Sequence, residues 1–424
     1  MDEEENALSG QRQNSCHNII EEIGNRRGQA SGILHTMTSN NKGAGGRPSE
    51  KTPIIREARY SDCEAVGALK RRNGMTIEWS SERWAWLWQS NPAASEKQVE
   101  LPIGWVLENE SGIVGYLGNI PLNYYFNGRR LLAAAARGFA VDKEHRSHSL
   151  RLAAAFFSQK NVDILLNTSA NPAAAAVFQL FKAERIPQPN YDRALFWVID
   201  ARGFLRSFFR RNGRHPAIAA LSANVLAPML RLEGTLRRRR TITQAGGEGL
   251  MIIVRRPTEI GIEFDEFWQS IIIQRGRSIL ADRSAAALRW HFGHSAAAGK
   301  KAKIICAQGR GKMRGYAVLI REDSNDIGLR RARLADLMAE GDDPATVSVL
   351  LAAAFAEARS DGSYILESIG FPTPIRAQIS RAHPYVRQLP SWQFWYKPVA
   401  AGLSGLLQHE HAWYGCLYDG DASL

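Results

Sequence analysis

Three dipeptides recur along the 424-residue chain at nearly constant spacing. Arg83-Trp84 returns as Arg289-Trp290, Gly115-Tyr116 as Gly315-Tyr316 and Phe196-Trp197 as Phe394-Trp395, at offsets of 206, 200 and 198 residues. Repetition on that scale marks an internal duplication: two copies of one unit, each large enough to form a domain. Any element read in one copy must therefore have a counterpart in the other.

The first copy reads as residues 53–200. Pro53–Arg59 forms a short strand, and Ser61-Asp62 then caps a helix through about Lys70. A second helix follows Ser80. Strands come next at 103–109 and 112–126, with the Asn127-Gly128 hairpin signal before another at 131–142. Strand, helix, strand, helix occupy the stretch from Arg137 to Ala183, and residues 191–200 close the unit as its final strand. The second copy, 250–424, repeats this order and ends on Trp392–Pro398 as its closing strand. Antiparallel strands followed by a crossover indicate an α/β fold with two mixed, mostly antiparallel sheets flanked by helices. Residues 1–52, rich in Ser, Asn, Gly and Gln, read as a disordered N-terminal tail, and Met37 is an alternative start. The tryptophans, Trp79, Trp84, Trp86, Trp88, Trp290, Trp392 and Trp395, follow helix and strand spacing and are expected in core or inter-domain packing.

Composition narrows the function classes. The four cysteines, Cys16, Cys63, Cys306 and Cys416, are far apart and form no metal or disulfide signature, so no metal is expected and a reducing compartment fits. The acidic N-terminus argues against a secretory or transit signal. No run of about 18 apolar residues is present, so no spanning helix is expected. The net charge of +12 and pI near 9.7 point to an anionic partner. That charge is concentrated in residues 201–249, a basic helical insert and linker in which Phe204, Phe208 and Phe209 alternate with arginines up to Arg237–Arg240. Two readings stay open for it: a packed insert with solvated arginines, or an amphipathic segment on an anionic membrane. Nucleic acid comes third, because no RNA-binding module is recognisable.

The candidate site lies between Arg137 and Ala183. An apolar strand runs into the basic loop Arg146-Ser147-His148-Ser149-Leu150-Arg151, which opens a helix, and a second strand ends before Asn171. Backbone amides and basic side chains at a helix N-terminus suit an anionic ligand, although a solvated basic turn gives the same pattern. His145 and His148 are candidate bases, with Glu144 beside them. Tyr124 and Tyr125 on the preceding strand are candidate proton donors, one of which alternation turns toward the cleft.

This order of elements, with a basic loop after the fourth strand, resembles the GNAT-type N-acyltransferase superfamily, and the tandem arrangement is similar to its mycothiol-synthase and Fem-type branches. The resemblance covers roughly 53–200 and, more faintly, 250–397. It implies acetyl-CoA or a longer acyl-CoA as substrate. The strand Phe139-Ala140-Val141 would pair with pantetheine, Arg146 to Arg151 would hold the pyrophosphate, and Asn171 would contact the cofactor. The usual loop is [Q/R]xxGx[G/A]; here Ser149 and Arg151 stand where glycine or alanine is usual, and Phe178 stands where the family often has an acidic tyrosine. In the second copy the loop reads Ala339-Glu340-Gly341-Asp342-Asp343, whose carboxylates would repel a pyrophosphate. Asp343-Pro344 reads as a helix N-cap followed by proline at the first position.

The expected function is therefore an acyl-CoA-dependent acyltransferase acting on an amine or hydroxyl of a small-molecule or glycan acceptor. The first domain would be catalytic and the second structural. The setting would be cytoplasmic and of bacterial type, with peripheral contact at the inner face of the membrane through 201–240. Two alternatives stand beside it: a non-catalytic scaffold at a membrane surface, and a Fem-type transferase using aminoacyl-tRNA.

Overall fold

A computed structural model describes residues 52–75, 80–95, 101–239, 249–294 and 301–424. The readings made above for residues 1–51, for Trp79 and for most of the glycine-rich linker lie outside the described residues. The first half contains β1 (Ile54–Glu57), α1 (Cys63–Arg72), α2 (Ser81–Trp84, continued by a π turn to Gln89), α3 (Pro92–Ser95), β2 (Gly104–Asn109), β3 (Gly112–Phe126) and β4 (Arg129–Val141). A 3-10 turn, Lys143–His148, then runs into α4 (Ser149–Phe157), followed by β5 (Ile164–Ala170), α5 (Pro172–Leu180), β6 (Glu184–Arg185) and β7 (Arg193–Val198). The insert is a pair of helices, α6 (Ala201–Arg211) and α7 (Pro216–Arg239). The second half contains β8 (Leu250–Arg255), α8 (Ile262–Gln274), β9 (Leu280–Ala281), α9 (Ala285–Gly293), β10 (Ala302–Gly309), β11 (Lys312–Arg321) and β12 (Arg331–Ala339). It ends with α10 (Pro344–Ser360), β13 (Ile365–Ile369), α11 (Thr373–Ser380), β14 (Tyr385–Gln388) and β15 (Gln393–Pro398).

The two sheets have the same internal order, and each is mixed, mostly antiparallel and flanked by helices. The first runs β1-β2-β3-β4-β5-β15-β6, with β9 added on β3, and the second runs β8-β10-β11-β12-β13-β7-β14. In each, a single parallel pair (β4 with β5, β12 with β13) interrupts antiparallel neighbours. The sixth place differs from the sequence reading. The strand expected to close the first unit, β7, pairs antiparallel with β13 and β14 in the second sheet. The strand expected to close the second unit, β15, pairs with β5 and β6 in the first. The halves have exchanged their last strands. Both strands carry the same Phe-Trp pattern.

Two tryptophans also join the halves. The Trp86 indole N–H donates to the Trp290 carbonyl, and the Trp290 indole N–H donates to the Trp86 carbonyl, each at 2.9 Å. Side chains alternate faithfully along β4. Leu131, Ala133 and Ala135 belong to the core under α1, while Leu132, Ala134 and Ala136 belong to the core under α4 and α5. The hairpin between β3 and β4 has Asn127 and Gly128 both at positive φ, 50° and 71°, the geometry that the Asn-Gly pair favours.

Candidate active site

The ladder between β4 and β5 covers only Ala133–Ala135 against Ile164–Leu166. Beyond it the strands part, and β4 continues to Val141 paired with β3 alone. At this point β4 also bulges. Arg137 opposes Gly118 and Ala140 opposes Tyr116, so two residues of β4, Gly138 and Phe139, face one of β3. Gly138 sits at φ 64°, a left-handed conformation that glycine adopts without a Cβ clash. The bulge shifts the alternation by one residue. Arg137 and Ala140 face the α1 side, and Phe139 and Val141 face the α4 side. A wedge in which one edge of β4 has no strand partner is the result, with the 3-10 turn and α4 following β4.

The basic turn is held in place by Asp142, whose carboxylate accepts from Arg72 Nη2 at 2.7 Å and Asn73 Nδ2 at 2.9 Å at the end of α1. Glu144, Arg146, Ser147 and Leu150 are exposed, and His145, His148 and Ser149 are half-buried. The His145 ring lies 3.4 Å from Asn109 Nδ2 and 6.5 Å, centre to centre, from His148. Arg151 turns away from the loop and donates to the Pro53 carbonyl at 2.6 Å. Asn171 caps α5 through a bond from the Ala174 amide at 2.9 Å. Phe139, Ala140 and Val141 line the bulged strand.

Tyr124 and Tyr125 do not join this group. They pair with Leu131 and Arg130 near the hairpin end of β4, away from the basic turn where Glu144 and His145 lie. Tyr125 packs edge-on against Trp268. Tyr124 is buried and its hydroxyl donates to Asp419 Oδ1 at 3.3 Å. Burial above all, then Asp419, pushes the Tyr124 phenol well above its ordinary range, so it is a hydrogen-bond donor at neutral pH.

The C-terminal segment, to which no role was given from sequence, lies across the α1 side of the wedge. Arg137, fully buried, donates from Nη1 to the Asp421 carbonyl and from Nη2 to the Leu424 backbone oxygen, both at 2.8 Å. From β5, the hydroxyls of Thr168 and Ser169 reach the Asp421 carboxylate at 3.1 and 3.3 Å. Asp421 is thus fixed by both diverging strands. Lys70 of α1 sits beside them, 4.9 Å above the Tyr116 ring, and burial, followed by the Arg137 charge, depresses its pKa well below the usual lysine value. The signals available in the sequence were Arg137 inside a strand of small residues and two aspartates in an aromatic tail.

The second sheet has the same opening, filled differently. Its β12–β13 ladder ends at Leu334–Ser368. Tyr414–Cys416 lie in the gap beyond: Cys416 pairs with Gly370, Phe371 donates to the Gly415 carbonyl at 2.7 Å, and the Tyr414 hydroxyl donates to the Leu337 carbonyl of β12. Gly370 is required, since a Cβ there would stand 2.6 Å from the Gly415 oxygen. The residue opposite Val318 in β12 is Asp336, the counterpart of Arg137 opposite Gly118. It is fully buried and held by Arg283 through bonds of 2.9 and 3.2 Å and by the Tyr316 hydroxyl at 2.7 Å. At the place of the basic loop, Glu340 pairs with Arg314 and Asp342 with Arg275, while Asp343 caps α10 through the Thr346 amide at 2.9 Å. Among the described residues, no group of three His, Cys, Asp or Glu is arranged to hold a metal.

No family profile matches the sequence. No curated protein matches it either. Solved structures similar to this chain include a GCN5-related N-acetyltransferase from Anabaena variabilis, with TM-score 0.48 and 12% identity over 82% of this chain and 73% of that one. A GCN5-related N-acetyltransferase from Kribbella flavida gives 0.49 and 11% over 82% and 71%. Saccharomyces cerevisiae N-myristoyltransferase gives 0.49 and 10% over 84% and 80%.

Proposed function

We propose that the chain transfers an acyl group from acetyl-CoA or a longer acyl-CoA to an amine, or a hydroxyl, of a small-molecule or glycan acceptor. The observation that carries this reading is the wedge. The β4–β5 ladder stops at Ala135–Leu166, β4 bulges at Gly138 and Phe139 where it has no partner but β3, and the basic turn and α4 follow it. Backbone amides along Phe139–Val141 suit the amide groups of a pantetheine arm, and Arg146, Ser147, His148, Ser149 and Leu150 suit a pyrophosphate. Arg151 is given a different part, tying the helix to the start of β1.

In the reaction the acceptor nitrogen attacks the thioester carbonyl, the carbon–sulfur bond breaks, and the leaving thiolate becomes a thiol by taking up the proton that the amine loses. An amide of the bulged strand stabilises the oxyanion. Asp421 is the carboxylate at the wedge and is assigned as the acceptor of the amine proton, directly or through water. Tyr124 and Asp419 hold the segment that carries it. The second sheet is assigned a structural part, because its opening is filled by Tyr414–Cys416 and carries Asp336 in place of Arg137.

Titration calorimetry with acetyl-CoA and longer acyl-CoAs tests the donor, and release of free thiol in the presence of candidate amines tests the transfer. Binding is expected for the intact chain and for Asp421→Asn, with turnover lost only in the variant, by roughly 10²–10⁴-fold. Absence of heat with every acyl-CoA would leave a non-catalytic double domain as the better description.

A further inference from the structure

Helix α7 is apolar on two sides. Ala219, Ala223, Ala227 and Leu230 are buried, the last three against α6 and the second sheet. Ile218, Leu221, Val225, Met229 and Leu232 are 53, 68, 68, 41 and 63% exposed. At 100° per residue these five fall within an arc of about 80°, nearly opposite the buried face. Single exposed aliphatics are ordinary on a protein surface; five in one stripe are not.

Charge indicates what covers the stripe. Residues 201–240 hold ten arginines and one carboxylate, Glu233. Arg202, Arg206 and Arg210 form an exposed row on the partner helix α6, Arg231 is exposed on α7 itself, and Arg237–Arg240 follow the stripe in the sequence. A second copy docked on this face would bring like charges together. An anionic bilayer satisfies both parts, taking the aliphatic row between its headgroups and the arginines against its phosphates. Among the described residues no helix is long and apolar enough to cross a membrane, so the contact lies in the plane of the interface.

We propose that the α6–α7 hairpin is an interfacial docking element for anionic lipid bilayers. The full chain is tested by flotation with phosphatidylcholine vesicles made with and without phosphatidylglycerol. It is expected to float only with the anionic vesicles, and less so at high salt. Leu221→Asp with Val225→Asp should abolish flotation while leaving the melting temperature and circular dichroism unchanged, since both side chains face outward. Arg202→Gln, Arg206→Gln and Arg210→Gln should each weaken partition roughly fivefold. Equal flotation with neutral vesicles would overturn the proposal. So would absence of flotation, and if a concentration-dependent dimer then disappears in the Leu221→Asp/Val225→Asp variant, a second copy is the occupant.

Discussion

At Gly138 a single backbone dihedral sets the direction of everything after it in β4. With φ at 64°, the bulge lets two residues face one and returns Ala140, rather than Phe139, to the α1 side. A β-branched side chain is strained in this conformation by about 1–2 kcal/mol, and the cheapest relief is to pair the strand regularly and lose the bulge. Gly138→Val is therefore expected to lower stability by that amount and to weaken acyl-CoA binding far more than the stability loss explains. Calorimetry paired with thermal melts reads both; unchanged affinity with an unchanged melt would remove the bulge from the site. Arg137, one residue earlier, makes the same point about charge. The equivalent places in the two sheets carry Arg137 and Asp336, each fully buried and each bound by a partner from elsewhere in the chain. Opposite charges at equivalent places are what allow one copy to hold the tail through its backbone oxygens and the other to hold Arg283.

At the scale of elements, the exchange of β7 and β15 makes the two halves mutually dependent. Each sheet lacks its sixth strand until the other half supplies it, and without it β5 and β6, or β13 and β14, expose unpaired backbone edges. Residues 53–244 and 245–424 expressed separately are expected to be insoluble, whereas co-expressed they should purify as one complex. A cooperative melt from either segment alone would contradict this. The strands of the first half from β1 to β5, the Asn127-Gly128 turn and the cap at Asp343 were legible, because each is written in local residue types and spacing, whereas β6, β9, β10 and β14 were not read. The exchange was not legible. Phe196-Trp197 and Phe394-Trp395 are interchangeable as patterns, and which sheet receives which is decided by chain path. The part the tail plays was not legible for a related reason: nothing local to Asp419 and Asp421 shows that Arg137, Thr168 and Arg283, over a hundred positions away, are brought to them.

For the molecule as a whole, the C-terminal segment is where both halves, the wedge and the filled gap meet, and its central carboxyl makes that junction pH-dependent. Asp419 is fully buried; it accepts from the Cys416 amide at 2.8 Å and from Tyr124, with Arg283 3.8 Å away. Burial is the largest influence and outweighs Arg283, pushing the Asp419 carboxyl up to about 6. In the unfolded chain an aspartate titrates near 3.9, so between roughly pH 4 and 6 the folded state holds the extra proton. Stability contributed by this group is therefore present below about pH 4 and is lost as pH rises to about 6, by roughly 2–3 kcal/mol. Glu367 acts in the opposite sense. It is completely buried among Arg333, Arg387 and Arg331, and despite burial these guanidinium groups hold its carboxyl below the usual range. Its contribution is present above about pH 4.3 and is lost as the medium is acidified further. Melting temperatures measured across pH for the intact chain, Asp419→Asn and Glu367→Gln separate the two. Relative to the intact chain, Asp419→Asn should gain stability from pH 4 to 6, because the amide cannot ionise, while Glu367→Gln should lose its disadvantage only in acid. The diagnostic quantity is the difference in slope, since Asn keeps one of the two acceptors and shifts the whole curve. Parallel curves for Asp419→Asn and the intact chain would mean that Arg283 neutralises this carboxylate fully, and that the junction is held the same way at every pH.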